Sequence, residues 1–192
     1  DAALVFGDNV PVDIPIPSLE GYLFPDTYYF SKGQTEEDII GQMVARFVEV
    51  VLPLVQGHES DTNLSMHEIV TLASIVEREV MVDYERPIVA SVYLNRLAIN
   101  MPLQADPTVR YVMTEERSRV LYRDLEIDSP YNTYKYNGLP PGPIASPGLA
   151  SIIAVLEPAE TDYLFFVSRG DGTHQFSRTF NEHVRARHQL GY

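Results

Sequence analysis

The sequence predicts an α+β protein that is mostly helical, with a β-hairpin near the C-terminus and a short extended segment at the N-terminus. Three observations carry this expectation. Several stretches repeat apolar residues at the helical period and open on capping residues. Two aromatic-rich runs flank Arg169-Gly170-Asp171-Gly172, which has the composition of a tight turn. Pro11, Pro15 and Pro17 interrupt residues 1–19, which suits an edge strand or a linker better than a helix.

In chain order, Gly21 to Phe30 gathers aromatic residues around a Pro25-Asp26 turn. Thr35 caps a predicted helix over 36–52, whose first turn carries Glu36, Glu37 and Asp38 at the positive end of the helix dipole. Residues 53–64 read as a polar loop. Ser65 and Glu68 form a capping-box signature ahead of a second helix, which contains the stretch LASIVEREV at 72–80. A third helix is expected over 85–98, with Pro87 tolerated in its first turn. Residues 100–145 hold six prolines and little periodicity. A long irregular stretch inside a compact domain is often functional. Ser146-Pro147 caps a helix reaching 157, residues 163–168 and 173–179 pair as the hairpin, and a short helix closes the chain.

With 192 residues, 45% of them hydrophobic, the chain can bury a sizeable core. Cysteine is absent, which excludes a disulfide framework, a zinc–thiolate site and a thiol nucleophile. The net charge is −13 and the 14 basic residues are scattered, so nucleic acid is not an expected partner. No apolar run approaches the ~20 residues that span a bilayer. The first ten residues lack the basic and apolar regions of a signal peptide, and there is no initiator methionine. The chain therefore reads as a piece of something longer, with any membrane anchor outside it. His67-Glu68 begins like the metal motif H-E-x-x-H, but Thr71 stands where the second histidine is needed. His183 and His188 do not share a helical face, so neither a metal nor another cofactor is expected.

On a helical wheel of residues 68–80, Glu77 falls inside the apolar arc, between Ala73 and Val70. Glu79 lies at the arc's other margin, between Ile75 and Leu72. An ionised carboxylate buried without partners costs several kcal/mol, so a carboxyl group there tends to keep its proton. A neutral acid in an apolar cleft can protonate a leaving group. The pattern leaves three readings of Glu77 open: such an acid, a partner of an arginine such as Arg96, or a rim residue on a helix rotated from this placement. Glu79 reads as an ion-pairing or orienting residue.

Three polar-aromatic stretches accompany that glutamate: Glu20 to Tyr28, Leu103 to Thr108, and Tyr131-Asn132-Thr133-Tyr134 leading into a proline-rich loop. Rings that stack on pyranose C–H groups, beside short amides and carboxylates that bond hydroxyls and acetamides, suit a glycan cleft. Taken singly, each stretch reads better as core aromatics beside turn caps; the three together, beside an out-of-place glutamate, favour the glycan cleft.

The blocks EGYLFPDTY, LASIVERE, VASVYLNRL, LQADPTVRY, YNTYKYNGLPPGPIASPG and YLFFVSRGDGTHQF, in that order from Glu20 to about His183, resemble the YceG-like family of MltG-type endolytic murein transglycosylases. The resemblance implies a catalytic domain over 20–192, with 1–19 as a linker or the tail of a LysM-like region. It also implies a single-pass anchor holding the whole protein on the extracytoplasmic face of the bacterial membrane. The substrate it implies is peptidoglycan, with cell-wall synthases as candidate partners and no cofactor. The first glutamate of the ASIVE-type motif would be the catalytic acid, which falls on Glu77. The cleft-lining positions fall on Glu20, Gln104, Asp106, Thr108, Asn132 and Tyr134, and His174 occupies a Gly-x-His-x-Phe position. One glutamate would protonate the glycosidic oxygen and then deprotonate the C6 hydroxyl, closing a 1,6-anhydro ring. Two rivals remain: a muramidase using Asp106 or Glu20 as a second carboxylate, and a non-catalytic glycan-binding scaffold.

Overall fold

The computed structural model describes residues 18–58, 62–114 and 120–192. The expected strand or LysM-like tail lies almost wholly outside the described residues. Helix α1 (Glu36–Gly57) starts on a capping box, in which Thr35 Oγ1 accepts the Asp38 amide at 3.2 Å and the Asp38 carboxylate accepts the Thr35 amide at 2.9 Å. It continues through Pro53, past the expected end at 52. Val51 and Val55 remain on the buried face either side of the proline, and that burial outweighs the lost hydrogen bond. Helix α2 (Met66–Glu79) opens on the expected Ser65–Glu68 box. Every residue from Ile69 to Val76 is buried, so α2 is covered all round and forms the axis of the domain.

A 3-10 turn (Asp83–Glu85) leads into α3 (Arg86–Ala98), which buries Val89, Ala90, Val92 and Tyr93. The stretch expected to be irregular contains a short helix, α4 (Asp106–Val112). Seven residues are too few for a periodic signal, and the segment leading into it is anchored from a distance: Thr133 O accepts the Gln104 amide at 3.1 Å and Thr133 Oγ1 accepts the Ala105 amide at 3.0 Å. After a second 3-10 turn (Tyr122–Glu126) comes α5 (Leu149–Leu156), with Gly148 at its N-cap in place of the expected Ser146. Strands β1 (Phe165–Ser168) and β2 (His174–Ser177) form an antiparallel hairpin, and α6 (Phe180–Leu190) follows it.

Helix α2 packs against α3, α4 and α5, while α1 lies against α5. The hairpin register pairs Phe166 with Phe176 and Ser168 with His174. Side chains two apart on a strand share a face, so these four residues lie together. Phe166 meets Tyr93 edge-on at 5.9 Å and His174 edge-on at 5.2 Å, which seats that face on α3. The Arg169–Thr173 turn closes on an Arg169 N–H to Thr173 O bond of 2.8 Å, with Gly170 and Gly172 at positive φ. The Arg-Gly-Asp sequence is accounted for by that turn.

At the other end, the Tyr22 hydroxyl bonds His67 Nδ1 at 2.6 Å, and His67 Nε2 bonds Pro141 O at 2.8 Å. Gly21, at φ +90°, lets the chain pass so close to the proline loop that a Cβ would stand 2.4 Å from Pro143 Cγ. Gly21→Ala is expected to lower unfolding free energy by about 2–4 kcal/mol, through left-handed backbone strain and overlap with the proline ring. Urea denaturation of both proteins measures it.

Candidate active site

Residues 77 and 79 are two apart on a helix, so their side chains leave it about 200° apart. Glu77 points toward α5. Its Oε2 accepts the Gly148 amide at 3.1 Å, the Ser151 hydroxyl at 2.7 Å and Arg86 Nη1 at 3.3 Å. Arg86 is fixed in turn by Ser151 Oγ at 2.6 Å and by Asp83 at 3.0 Å. Gly148 stands at the N-cap of α5, and the Glu77 carboxylate, coming from another helix, accepts its amide near the positive end of α5. The wheel placed Glu77 correctly on the packed side, but a helix N-terminus and a guanidinium meet it there. Its arginine is Arg86 and not Arg96. Three donors converge on that one oxygen, which is spent on packing α2 against α5. Glu77 is on the wall of neither large cavity.

Glu79, the last residue of α2, is on the wall of both. The cavities measure 520 Å³ and 560 Å³, and share Glu79, Asp106, Ser168 and His174 as a common junction. Desolvation, followed by the charge of Asp106, pushes the Glu79 carboxyl up to about 7. The Tyr93 hydroxyl, beside it but outside hydrogen-bonding geometry, and the guanidiniums of Arg110 and Arg96 pull the other way. Glu79 is therefore a carboxyl raised toward neutrality that also lines open space, whereas Glu77 lines neither cavity.

Four of the six expected cleft residues line these cavities. Gln104 and Tyr134 face the first, Glu20 faces the second, and Asp106 stands at the junction. The Tyr134 hydroxyl donates to Asp106 Oδ1 at 2.6 Å, and burial together with that contact holds the phenol well above its ordinary range. Thr108 and Asn132 are fully buried behind the wall. Thr108 Oγ1 bonds Ala105 O at 2.7 Å and Thr133 Oγ1 at 2.9 Å. Asn132 Nδ2 donates to Leu125 O and Ile127 O at 2.9 and 2.8 Å, and its Oδ1 accepts the Tyr134 amide at 3.0 Å. Both hold the loop that presents Asp106 and Tyr134, and neither has hydrogen-bonding capacity turned to the cavity.

The sequence reading gave no role to His174 or Glu85. His174 lies at the junction, and its Nδ1 bonds Glu85 Oε2 at 2.7 Å, while its amide donates to Glu85 Oε1 at 3.0 Å. A buried acid 89 positions away leaves no local pattern. Arg96, also buried, donates to Leu164 O and Leu103 O, each at 2.6 Å, and lies 5.3 Å from the Phe165 ring centroid.

The model of the YceG-like family matches residues 5–189. The chain belongs to the YceG-like family. A Bacillus subtilis (strain 168) protein named endolytic murein transglycosylase is 46% identical over 173 residues, covering 88% of this chain and 47% of that protein. A Streptococcus pneumoniae (serotype 2, strain D39) protein of the same name is 37% identical over 155 residues, covering 78% of this chain and 28% of its own length. This YceG-like chain thus spans less than half of either relative. A crystallised yceG-like protein of Listeria monocytogenes superposes with a TM-score of 0.87 at 39% identity, covering 96% of this chain and 63% of that one.

The raised Glu79 carboxyl couples to stability with a defined sign. The folded chain binds this proton more tightly than the unfolded chain does, so the stabilisation is complete below the ordinary value of 4.5 and is lost as pH rises through about 7. Glu79→Gln should flatten the decline of unfolding free energy across that interval, measured by urea titration at a series of pH values.

Proposed function

We propose that this chain is the catalytic part of an endolytic murein transglycosylase, with Glu79 as the residue that cleaves the β-1,4 bond between N-acetylmuramic acid and N-acetylglucosamine. The observation that carries this reading is the junction. Glu79 stands between two cavities of saccharide-binding size, with a carboxyl pushed up to about 7. A strand running through both cavities would offer Glu79 an internal bond rather than an end. The names of the relatives supply the reaction class.

In this mechanism Glu79 donates its proton to the glycosidic oxygen as the bond from C1 breaks. The positive charge at C1 is met by the acetamide carbonyl of the same sugar, which forms a transient bond to C1. The C6 hydroxyl then attacks C1, the acetamide bond breaks, and the Glu79 carboxylate takes the hydroxyl proton. One carboxyl group serves both steps, and the acid is restored. Asp106, bonded to Tyr134, keeps a negative charge beside Glu79 and close to the developing cation. Working on peptidoglycan means acting on the extracytoplasmic face. By the family resemblance, the proposal extends to a single-pass anchor and contact with cell-wall synthases in the whole protein.

One observation favours hydrolysis as a second reading: Asp106 is a second carboxylate at the same junction. The products separate the two. On nascent, uncrosslinked glycan strands, mass spectrometry is expected to find anhydro ends, one water lighter than the reducing ends of a muramidase. Glu79→Gln should lower the rate by about 10²–10⁴-fold. Glu77→Gln should still yield anhydro ends while losing about 1–3 kcal/mol of stability from its weakened bonds to Gly148, Ser151 and Arg86. Reducing ends, or an active Glu79→Gln, would overturn this reading.

A further inference from the structure

We propose that His174 is a second substrate-contacting residue at this junction, whose Nε2 accepts the acetamide N–H of the N-acetylmuramoyl ring, and that Glu85 is the positioning residue that keeps Nε2 an acceptor. The proposal rests on the transglycosylase reading above and adds to it the group that orients the sugar's own nucleophile.

The geometry of the pair is unusually complete for two residues far apart in sequence. Glu85 is 3% exposed, and the His174 side chain is 10% exposed. Glu85 Oε1 accepts the His174 amide at 3.0 Å and Oε2 meets ring Nδ1 at 2.7 Å. A carboxylate only accepts, so Nδ1 carries the proton it donates, and in the neutral ring the lone pair is then on Nε2. Phe166 packs edge-on against the ring at 5.2 Å, and the hairpin register pairs His174 with Ser168, so the ring is held from the sides as well. Nε2 has no hydrogen-bond partner among the described residues, and His174 is on the wall of both cavities beside Glu79 and Asp106. A buried carboxylate is expensive to maintain. Here it orients one imidazole whose remaining polar atom has nothing to bond except what enters the cleft.

The substrate's chemistry selects the partner of that atom. Around the N-acetylmuramoyl ring, O4 is either glycosidic or a chain end, O3 is an ether to the lactyl group, and O1 is the leaving oxygen. Within an internal unit this leaves two ring-borne donors, the C6 hydroxyl and the acetamide N–H. The Glu79 carboxylate takes the hydroxyl proton once the bond has broken. The acetamide N–H remains, and it gains acidity as the carbonyl oxygen bonds C1. A fixed neutral acceptor therefore holds the carbonyl under C1 and stabilises the charge that develops on nitrogen.

The tests separate this role from a structural one. Long-range ¹H–¹⁵N NMR of the wild type should find His174 protonated at Nδ1 and bare at Nε2. In Glu85→Gln the amide oxygen can keep the His174 amide only by turning its NH₂ toward Nδ1, so the tautomer should reverse. With nascent glycan strands as substrate, His174→Phe and Glu85→Gln should each lower kcat by about 10²-fold with little change in KM, the size of one preorganised transition-state hydrogen bond. With strands de-N-acetylated at their muramoyl residues, which lack the acetamide, the same substitutions should change kcat by less than about 3-fold. Glu85→Gln serves as the variant that keeps shape and volume should His174→Phe melt early. A proton on Nε2 in the wild type, an unchanged kcat on acetylated strands, or an equal loss on both substrates would overturn the proposal. If Glu79→Gln is inactive and His174→Phe is not, this inference alone fails. If Glu79→Gln is active, the reading beneath it fails.

Discussion

The buried guanidinium of Arg96 is the contact on which the cleft depends. It projects from α3 and bonds carbonyl oxygens at Leu164, just before β1, and at Leu103, just before α4. These are the two segments that carry the opposite walls, with His174 and Ser168 on one and Gln104 and Asp106 on the other. Without this cation the carbonyls would be left unsatisfied in the interior and the hairpin would have no polar tie to the 102–105 strap. The same charge reaches Glu79 and moderates the effect of Asp106 on it. One side chain therefore sets both the separation of the walls and part of the electrostatics between them.

The two glutamates of α2 illustrate how environment divides like residues into unlike roles. Glu77 is met by a backbone amide at a helix N-terminus, a hydroxyl and a guanidinium, all of which donate to it. Glu79 is met by desolvation and a second carboxylate, both of which prefer it neutral. They are separated by a single residue, and the helical twist directs them to opposite sides of α2. The junction collects several such assignments: Asp106 receives a phenolic proton donor, and His174 receives a carboxylate acceptor. For His174 the deciding neighbour, Glu85, lines neither cavity.

Much of the architecture was legible locally. The capping boxes at Thr35 and Ser65 announce helices that begin where expected, because the cap is made by residues three apart. The glycines of the Arg169–Thr173 turn announce the hairpin for the same reason. Helix α4 was not legible, since the residues leading into it are held by Thr133, remote in sequence. The continuation of α1 through Pro53 was not legible either, because burial of Val51 and Val55 overrides a local breaker.

The sequence by itself determined the α+β class, the helical axis carrying both glutamates, and the family to which the chain belongs, since these rest on patterns of residues near one another. It also brought forward Glu20, Gln104, Asp106 and Tyr134, all of which line the cavities. Tertiary structure alone decided which glutamate faces the cleft, that Thr108 and Asn132 are spent on loop carbonyls and hydroxyls, and that Glu85 stands behind His174. The physical reason is that a helical wheel reports how buried a side chain is, whereas protonation state depends on which donors and charges the rest of the chain brings up to it.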